Sequence, residues 1–393
     1  MQINFAELLA PLALEEFFRI YWEKKFLHLR QSKTDYFERV VNLKAIDDYL
    51  TRVDLSPLVL RLTLNGADVA PVNWTEEERL LDGRIKPVVN NEKVFSHFTK
   101  GATVIINAAQ KGIPSLAKAC RELERELKIS LQSNIYITPP DSQGFTAHYD
   151  PHDIISLQIA GTKNWRIYDS GENLPTKVRP FRQKPKLLCE FQRQPGDLLY
   201  IPRGVVHEAF SSEVSTVHVN FSFKPRYGFH LLEDLRALAE EENVFFRKII
   251  PHGFASEKEK SEYAADFARE LSDLIDGYAP EKLLERQREK FAEKQQINFQ
   301  NRLADLLDAE KLNLNSIISR RGEMTFTVKR NGGETAIKFG KREIIIPKFI
   351  EPEVFLKDES FAVGNVKGLI TARGKIELIK QFVEAGFLKI ENL

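Results

Sequence analysis

The sequence predicts a mainly β fold with added α-helices, in which an antiparallel barrel or double-sheet jelly roll precedes helical and mixed segments. Short runs of alternating apolar residues, separated by Gly, Pro and Asp turns, fill the first part of the chain. From about residue 227 the apolar residues recur at intervals of three and four, which is typical of amphipathic helices. A length of 393 residues exceeds one core of about 100–200 residues, so we expect several domains.

Composition excludes some classes of protein. The 57 Lys and Arg residues balance 56 Asp and Glu, so the net charge of +1 gives no overall argument for binding nucleic acid or an anionic membrane. No apolar run approaches the roughly 18 residues that span a bilayer. Glu7, Glu15 and Glu16 interrupt the amino terminus, where a signal peptide would be apolar. We therefore expect a cytoplasmic protein without membrane partners.

The cysteine content restricts the metal chemistry. Two cysteines, Cys120 and Cys189, cannot form a disulfide framework, which favours a reducing compartment. Because the sequence has no CxxC motif, the cysteines also cannot supply a thiolate zinc site. Any metal ligands must therefore be histidine or carboxylate side chains.

The barrel domain is expected over residues 1–225. Its first 30 residues predict a helix that leads into a short strand at KKFLHLR. The helical pattern returns at SLAKACRELERELK. The remaining apolar runs predict strands at LVLRLTLNG, GATVIINAA, SNIYITP, DIISLQIAG, NWRIYD, GDLLYIP and STVHVNFSF. Strands of this length, joined by turns, favour an antiparallel arrangement.

A helical domain is expected over residues 226–300. Pro251, His252 and Gly253 divide it once, and the segment from Gly277 to Pro280 divides it again, which predicts three helices. Their apolar faces could form a dimer surface or could pack on the barrel. The sequence does not separate these two interpretations.

A third domain is expected over residues 301–393, where a helical segment is followed by a β-hairpin, as in a winged helix. Residues 320–348 contain eight basic residues and three Glu, which is a local excess of five positive charges. The residues are Arg320, Arg321, Lys329, Arg330, Lys338, Lys341, Arg342 and Lys348 against Glu323, Glu334 and Glu343. Such an excess is found on surfaces that contact RNA or a ribosome and also on ordinary solvated faces.

The segment from residue 134 to residue 169 carries the candidate chemistry. It contains His148 and Asp150 two residues apart, so in an extended chain their side chains point to the same side. His207 follows a Pro-Gly-Asp turn and a strand in PGDLLYIPRGVVHEA. Two imidazoles and one carboxylate form the facial triad of non-haem Fe(II) oxygenases, which leaves positions open for a 2-oxo acid and dioxygen. A helical zinc site of His148 with His152 is disfavoured, because Pro151 lies between them.

A 2-oxo acid cosubstrate needs a cation that pairs with its distal carboxylate. Lys163 lies at the other end of the strand that follows the HxD motif, which makes it the candidate. Without the neighbouring motif, Lys163 could equally be a lysine in a turn whose side chain points to solvent. Asn134 and Tyr136 share one face of the preceding strand and could hydrogen-bond the same molecule.

These motifs resemble the JmjC-type (cupin-4) ribosomal oxygenases, which are Fe(II)- and 2-oxoglutarate-dependent protein hydroxylases. The resemblance rests on the segment of residues 134–169 and on PGDLLYIPRGVVHEA, and it extends over nearly the whole chain. It implies a double-stranded β-helix (jelly-roll, JmjC/cupin) domain, then a helical dimerisation domain and a winged-helix-like carboxy-terminal domain. It also implies a homodimer and a large-subunit ribosomal protein as substrate, modified on arginine or, nearer the animal members, on histidine.

The resemblance also implies roles for single residues. Positions that match the family's metal ligands are His148, Asp150 and His207, and the position of its 2-oxoglutarate lysine is Lys163. Positions of its other pocket residues are Asn134, Tyr136 and Ser222, and His218 matches a family histidine without an assigned role.

Two other functions remain open at this point. A JmjC-type lysine demethylase would use the same iron site on an N-methyl group, although the chain lacks the cysteine-rich zinc modules that often accompany chromatin enzymes. A non-catalytic cupin scaffold that binds Zn or Ni would have no use for Lys163 as a carboxylate partner.

Overall fold

The computed structural model describes residues 3–30, 34–52, 55–169, 172–181, 185–277, 280–295, 297–322 and 324–393. The chain divides between Lys224 and Pro225 into two compact units. The further division of the second unit at residue 300 stays a prediction. No helix in the described ranges is long and apolar enough to cross a membrane.

The first unit contains six α-helices and thirteen strands in its described part. The helices are α1 (Phe5–Leu9), α2 (Leu14–Ile20), α3 (Thr34–Val40), α4 (Leu43–Leu50), α5 (Asn91–Thr99) and α6 (Pro114–Leu127). The strands that precede the HxD motif are β1 (Leu27–Leu29), β2 (Leu60–Leu64), β3 (Ala67–Asp68), β4 (Thr75–Arg79), β5 (Ile85–Val89), β6 (Thr103–Ile106) and β7 (Ser130–Thr138). The later strands are β8 (Ile154–Ala160), β9 (Lys163–Tyr168), β10 (Leu187–Arg193), β11 (Leu198–Ile201), β12 (His207–Ser211) and β13 (Thr216–Lys224).

Two antiparallel sheets form the body of this unit. The larger has the strand order β1-β11-β8-β13-β7-β6-β2-β3, and the smaller has the order β10-β9-β12. All pairings within them are antiparallel, which confirms the predicted double-sheet β domain. Strands β4 and β5, which the sequence analysis missed, form a separate two-stranded hairpin.

The large sheet has one apolar and one polar face. Along β13, Val217, Val219 and Phe221 belong to the main apolar core. The intervening His218 and Asn220 are also buried, but they line a pocket between strands of both sheets. Because successive strand residues point to opposite sides, one strand contributes both to the core and to the candidate site.

The amino-terminal helix differs from its prediction. The apolar pattern from Phe5 to Trp22 predicts one helix, whereas the structure contains the two short helices α1 and α2. Pro11 lies between them. Proline has no N–H group for helical hydrogen bonding, and it disfavours helical geometry at the residue before it.

The second unit contains six α-helices and six strands in its described part. The helices are α7 (Gly228–Glu242), α8 (Glu257–Gly277), α9 (Pro280–Lys294), α10 (Arg302–Asp308), α11 (Glu353–Leu356) and α12 (Ala372–Ala385). The strands are β14 (Ile317–Arg320), β15 (Thr327–Asn331), β16 (Glu334–Phe339), β17 (Arg342–Ile346), β18 (Phe361–Ala362) and β19 (Leu388–Asn392). They form two three-stranded sheets, β18-β14-β19 and β15-β16-β17.

The first predicted break lies within a longer interruption, because α7 ends at Glu242 and α8 begins at Glu257. Helix α7 ends before Pro251, helix α8 ends at Gly277, and helix α9 begins at Pro280. Tyr278 and Ala279, in the second predicted break, lie outside the described residues.

The predicted basic stretch is less exposed than its composition suggests. Arg320 and Arg321 are buried, and each forms an ion pair, with Asp358 and Asp305 respectively. These two residues therefore belong to the interior of the second unit and not to a basic surface. Glu323, which entered the same charge count, lies outside the described residues.

Candidate metal centre and adjoining pocket

The HxD motif lies in the segment between β7 and β8, and a backbone pairing fixes it against β12. The His148 N–H donates to the His207 carbonyl at 3.0 Å, and the His207 N–H donates back to the His148 carbonyl at 2.8 Å. The Gly204 N–H also donates to the carbonyl of Asp150 at 3.1 Å. Residues 59 positions apart in the sequence are thus held together by main-chain hydrogen bonds.

Three potential ligand atoms converge at this pairing. One side-chain nitrogen or oxygen from each of His148, Asp150 and His207 lies within 4.8 Å of the other two. The His207 Nε2 and the Asp150 Oδ2 are 3.9 Å apart. The two imidazole rings have centroids 4.6 Å apart. The structure therefore brings together the three residues that the sequence selected as metal ligands.

The hydrogen bonds of the imidazole rings leave the same nitrogen available on both histidines. The Nδ1 of His148 lies 2.8 Å from the Thr146 carbonyl, and the Nδ1 of His207 lies 3.0 Å from the Val205 carbonyl. A carbonyl oxygen can only accept, so each Nδ1 carries a proton, and the nitrogen that remains for a metal is Nε2 on both rings. Such partners orient metal-binding histidines in known sites.

Burial keeps His207 in the form that binds a metal. Desolvation, with a smaller contribution from the neighbouring His148, lowers the pKa of the His207 imidazole to about 4. The ring is therefore neutral near pH 7. Two imidazoles and one carboxylate fit a divalent transition metal with open coordination positions, since this donor set is the facial triad of non-haem iron sites.

A pocket of about 180 Å³ adjoins the three ligands. Its volume is more than ten times the roughly 10–15 Å³ that one water molecule requires. Its other lining residues include Arg61, Tyr136, Lys163, Trp165, His218 and Asn220. The pocket is thus large enough for a small organic molecule beside the metal position.

Lys163, the first residue of β9, is the buried cation of this pocket. Its side chain is only 3% exposed, and its Nζ donates to the Thr138 Oγ1 at 3.0 Å. The Nδ1 of His218 lies 3.4 Å from the same Nζ. No carboxylate in the described ranges pairs with Lys163. Burial, and secondarily the positive charge of Arg193, lower the pKa of the ammonium to about 7.

An ammonium group has three N–H donors, and Thr138 and His218 occupy two of them. A buried cation with a remaining donor and only neutral partners is costly unless an anion binds to it. The pocket therefore fits a ligand with a carboxylate at the Lys163 end. The alternative of a turn lysine pointing to water is wrong, because the side chain is buried.

Tyr136 also lines the pocket. Its ring stacks on the His218 ring with centroids 4.7 Å apart and an angle of 1° between the planes. Burial, and then the charge of Asp150, raise the pKa of the Tyr136 phenol to about 12. The hydroxyl therefore keeps its proton at neutral pH and is a hydrogen-bond donor.

Asn134 and Ser222 are not among the lining residues in the described part of the chain. Asn134 lies on the same face of β7 as Tyr136, but its Oδ1 accepts from the Ala108 N–H at 2.9 Å and from the Gln132 Nε2 at 3.1 Å. Ser222 is buried two residues beyond Asn220 on β13. Their predicted contact with a cosubstrate stays a prediction.

The sequence analysis missed two pocket residues with unused polar atoms. The Trp165 Nε1 and the Asn220 Oδ1 are buried and have no hydrogen-bond partner in the part of the chain that the structure describes. Each lies two residues from a residue that the sequence analysis singled out, Lys163 and His218. The period-two alternation of strands was therefore the signal that could have identified them.

Comparisons with known proteins agree with this geometry. A family model described as JmjC domain matches residues 107–231, a range that includes the three potential ligands and Lys163. Ribosomal oxygenase 1 of Rattus norvegicus is 30% identical over 262 residues, which cover 64% of this chain and 42% of the relative. The bifunctional lysine-specific demethylase and histidyl-hydroxylase NO66 of Drosophila persimilis is 29% identical over 254 residues, 61% of this chain and 34% of the relative.

Residues 107–231 match the JmjC domain model, and the chain is similar to ribosomal oxygenase 1 and to NO66 proteins. It spans about a quarter to a half of the length of the curated relatives that it matches. The ribosomal oxygenase YcfD of Escherichia coli has a similar structure, with a TM-score of 0.54 over 97% of this chain and 98% of YcfD at 15% identity. YcfD in complex with cobalt and 2-oxoglutarate gives a TM-score of 0.55. At this identity the match shows a shared fold and nothing more.

Proposed function

We propose that the chain is an Fe(II)- and 2-oxoglutarate-dependent dioxygenase that hydroxylates a residue of a large-subunit ribosomal protein. One observation carries the proposal: His148, Asp150 and His207 converge next to a pocket whose buried Lys163 has no carboxylate partner in the described ranges. Fe(II) with 2-oxoglutarate supplies the oxidation of an unactivated C–H bond by dioxygen, with succinate and carbon dioxide as coproducts. The complex of YcfD with cobalt and 2-oxoglutarate supports this cosubstrate.

The residues of the chain have separate roles in this proposal. His148, Asp150 and His207 would hold the iron through two Nε2 atoms and one carboxylate oxygen. Lys163 would pair with the distal carboxylate of 2-oxoglutarate through its unused N–H. The Tyr136 hydroxyl, which stays protonated, would donate a hydrogen bond within the same pocket. The buried side chains of Lys163, Trp165, His207 and His218 would exclude water from their side of the pocket.

The modified residue is proposed as arginine, with histidine as the alternative. The names of NO66 proteins include histidyl-hydroxylase, which supports the histidine alternative. The two are separated by incubating the protein with Fe(II), 2-oxoglutarate and large-subunit ribosomal-protein peptides that contain each residue. Mass spectrometry is expected to find one added oxygen atom, together with substrate-dependent succinate. Absence of both from every peptide would contradict the proposal.

A second candidate function is demethylation of methyl-lysine, because the NO66 relatives are named lysine-specific demethylases as well. The same iron site would hydroxylate the N-methyl group, which then leaves as formaldehyde. A panel of methyl-lysine peptides monitored for formaldehyde distinguishes this function from hydroxylation of a ribosomal protein. Activity on neither class of peptide, with metal bound, would indicate the non-catalytic scaffold.

We also propose that the chain forms a homodimer through residues 226–300. Support comes from large apolar side chains that are exposed in the segment between α7 and α8: Ile249 is 91% and Phe254 is 99% exposed. Burial of such residues in a partner would be favourable by roughly 25 cal/mol for each Å² of apolar surface. Light scattering is expected to give twice the chain mass of 45.2 kDa. A monomer would contradict the homodimer.

Contact of the carboxy-terminal winged-helix-like region with RNA or the ribosome stays a proposal. Lys341 and Lys348 support it, since they belong to the predicted basic stretch and remain outside its buried ion pairs. Binding of ribosomal RNA that weakens as salt rises is the expected observation.

A cytoplasmic location is likewise proposed, and the free Cys120 and Cys189 support a reducing compartment.

A further inference from the structure

Arg193, the last residue of β10, is a fully buried cation behind the candidate pocket. Its relative exposure is 0%. One terminal nitrogen donates to the Ser156 Oγ at 2.8 Å, and the other donates to the main-chain carbonyls of Ser156 at 2.7 Å and Asp197 at 2.8 Å. The side chain thus reaches from the small sheet to β8 of the large sheet. All three hydrogen-bond acceptors are neutral.

The strand register places Arg193 next to the pocket cation. Arg193 pairs with Lys163 across β10 and β9. Its guanidinium lies 5.5 Å from the centroid of the Trp165 ring. Trp165 in turn has ring contacts with His207 at 5.9 Å and with His218 at 5.8 Å. Arg193 therefore packs against Trp165, and Trp165 in turn contacts the two histidines that line the pocket.

The charge of Arg193 is incompletely compensated. No carboxylate group in the described ranges forms a hydrogen bond with the guanidinium. Asp197 acts on it through space, but the Asp197 carboxylate accepts from the His28 Nε2 and from the Gln194 N–H, both at 3.0 Å. Burial lowers the pKa of Arg193 to about 9, so the group stays charged near pH 7. Two buried cations, Arg193 and Lys163, therefore act on one small pocket.

We propose that Arg193 is a positioning residue that selects a dianionic cosubstrate, acting through Lys163 and Trp165 without touching the ligand. This inference rests on the proposed 2-oxoglutarate dependence. A positive charge that is buried one layer behind the pocket attracts a second carboxylate more strongly than it would in water, because the interior screens it poorly. The fixed hydrogen bonds to Ser156 hold the charge in place, so little reorganisation accompanies binding.

The test compares two ligands that differ only in the distal carboxylate. The affinities of 2-oxoglutarate and of 2-oxopentanoate, which has the same chain length, are measured by calorimetry on Mn(II)-loaded protein without turnover. The measurements are made at about pH 6, where Lys163 keeps its proton with or without Arg193. In Arg193→Gln, 2-oxoglutarate is expected to bind about tenfold more weakly, while 2-oxopentanoate binds as in the wild type. Arg166→Gln is the matched control. It removes a guanidinium from the exposed face of β9 and is expected to change neither affinity.

Two further variants separate charge from packing. Arg193→Lys keeps the charge and is expected to retain the preference for 2-oxoglutarate within about threefold. Arg193→Met removes the charge and adds no polar side chain at this buried position, although the three acceptors lose their donor. It replaces the Gln variant if that protein does not fold. It is expected to show the same tenfold loss of preference.

Three results would overturn the inference. Equal weakening of both ligands in Arg193→Gln and Arg193→Met would mean that Arg193 has a purely structural role. An unchanged preference in both variants would mean that its charge does not reach the ligand. A wild-type protein that loads Mn(II) but binds neither oxo acid would overturn the proposed function together with this inference, whereas the first two results overturn the inference alone.

Discussion

In the second unit the buried guanidinium of Arg321 lies against the carboxylate of Asp305. In the first unit, among the residues that the structure describes, the buried ammonium of Lys163 has only neutral partners. Both cations are almost inaccessible to water. Asp305 is buried as well, and it also accepts from the Ile390 N–H at 3.1 Å. Arg321 also donates to the carbonyl of Gln300 at 2.8 Å, while its Nε has no hydrogen-bond partner among the described residues.

The partners of a buried cation distinguish a charge that stabilises the fold from a charge that binds a ligand. A buried cation that already pairs with a buried carboxylate needs no anion from outside the protein. A buried cation with neutral partners only, on the wall of a pocket, is satisfied when an anion enters. The same kind of buried charge therefore indicates folding in one unit and ligand binding in the other.

The largest expected effect comes from removing the metal ligands next to the unpaired cation. His148→Ala leaves two of the three ligand atoms, so metal affinity and turnover are expected to fall by more than about 100-fold. Metal content by mass spectrometry and succinate formation are the measurements. His152→Ala is the matched control, because His152 belongs to the same segment and is not part of the converging set. Retained metal in the His148 variant would contradict the assignment.

Breaking the ion pair of the second unit is expected to affect folding and not binding. Asp305→Ala leaves the Arg321 guanidinium buried without its carboxylate, which should lower the free energy of unfolding by about 3–5 kcal/mol. Chemical denaturation measures this change. Asp308→Ala, which removes the exposed partner of Lys311 on the same helix, is expected to cost less than about 1 kcal/mol. A similar small loss for Asp305→Ala would remove the contrast between the units.

Removing the unpaired cation should give the opposite result. Lys163→Met is expected to weaken 2-oxoglutarate binding by about 100-fold, since a hydrogen-bonded ion pair in the pocket is lost. The free energy of unfolding without ligand should stay the same or rise, because a buried charge without an anionic partner is removed. Calorimetry and chemical denaturation test the two parts separately. Lys111→Met, at an exposed position, is the control.

The sequence predicted the site better than it predicted its surroundings. His148 and Asp150 could be paired because strand alternation fixes the direction of residues two apart, and His207 followed a recognisable turn. Arg193 could not be found in this way. Its strand β10 is mostly exposed and does not show a buried apolar pattern, so the strand was missed and its one inward-facing cation with it.

The count of charged residues in the sequence also failed to predict which basic side chains are exposed. Arg320 and Arg321 add to the basic excess of the carboxy-terminal stretch, yet both are buried in ion pairs with Asp358 and Asp305. Those carboxylates lie 38 and 16 residues away in the chain. A local sum of charges cannot include partners that only the fold brings together.

The smallest expected effect is a pH dependence that belongs to Lys163 alone. Burial and the charge of Arg193 lower the pKa of the Lys163 ammonium from 10.5 to about 7. Above that pH the unliganded folded protein loses the proton. Binding of an anion requires the charged form, so 2-oxoglutarate affinity should fall by up to about tenfold for each pH unit above about 7. His218, 3.4 Å from the ammonium, has its pKa lowered by burial and stays neutral over this range.

Folding without ligand should respond to pH with the opposite sign. Between about pH 7 and 10.5 the unfolded chain binds more protons at this lysine than the folded chain, so the unfolding free energy gains a contribution that rises with pH. Calorimetry on Mn(II)-loaded protein and denaturation of unliganded protein across that range measure both trends, and Lys163→Met should abolish both. An affinity independent of pH in the wild type would mean that Lys163 already has an anionic partner, as Arg321 does in the second unit.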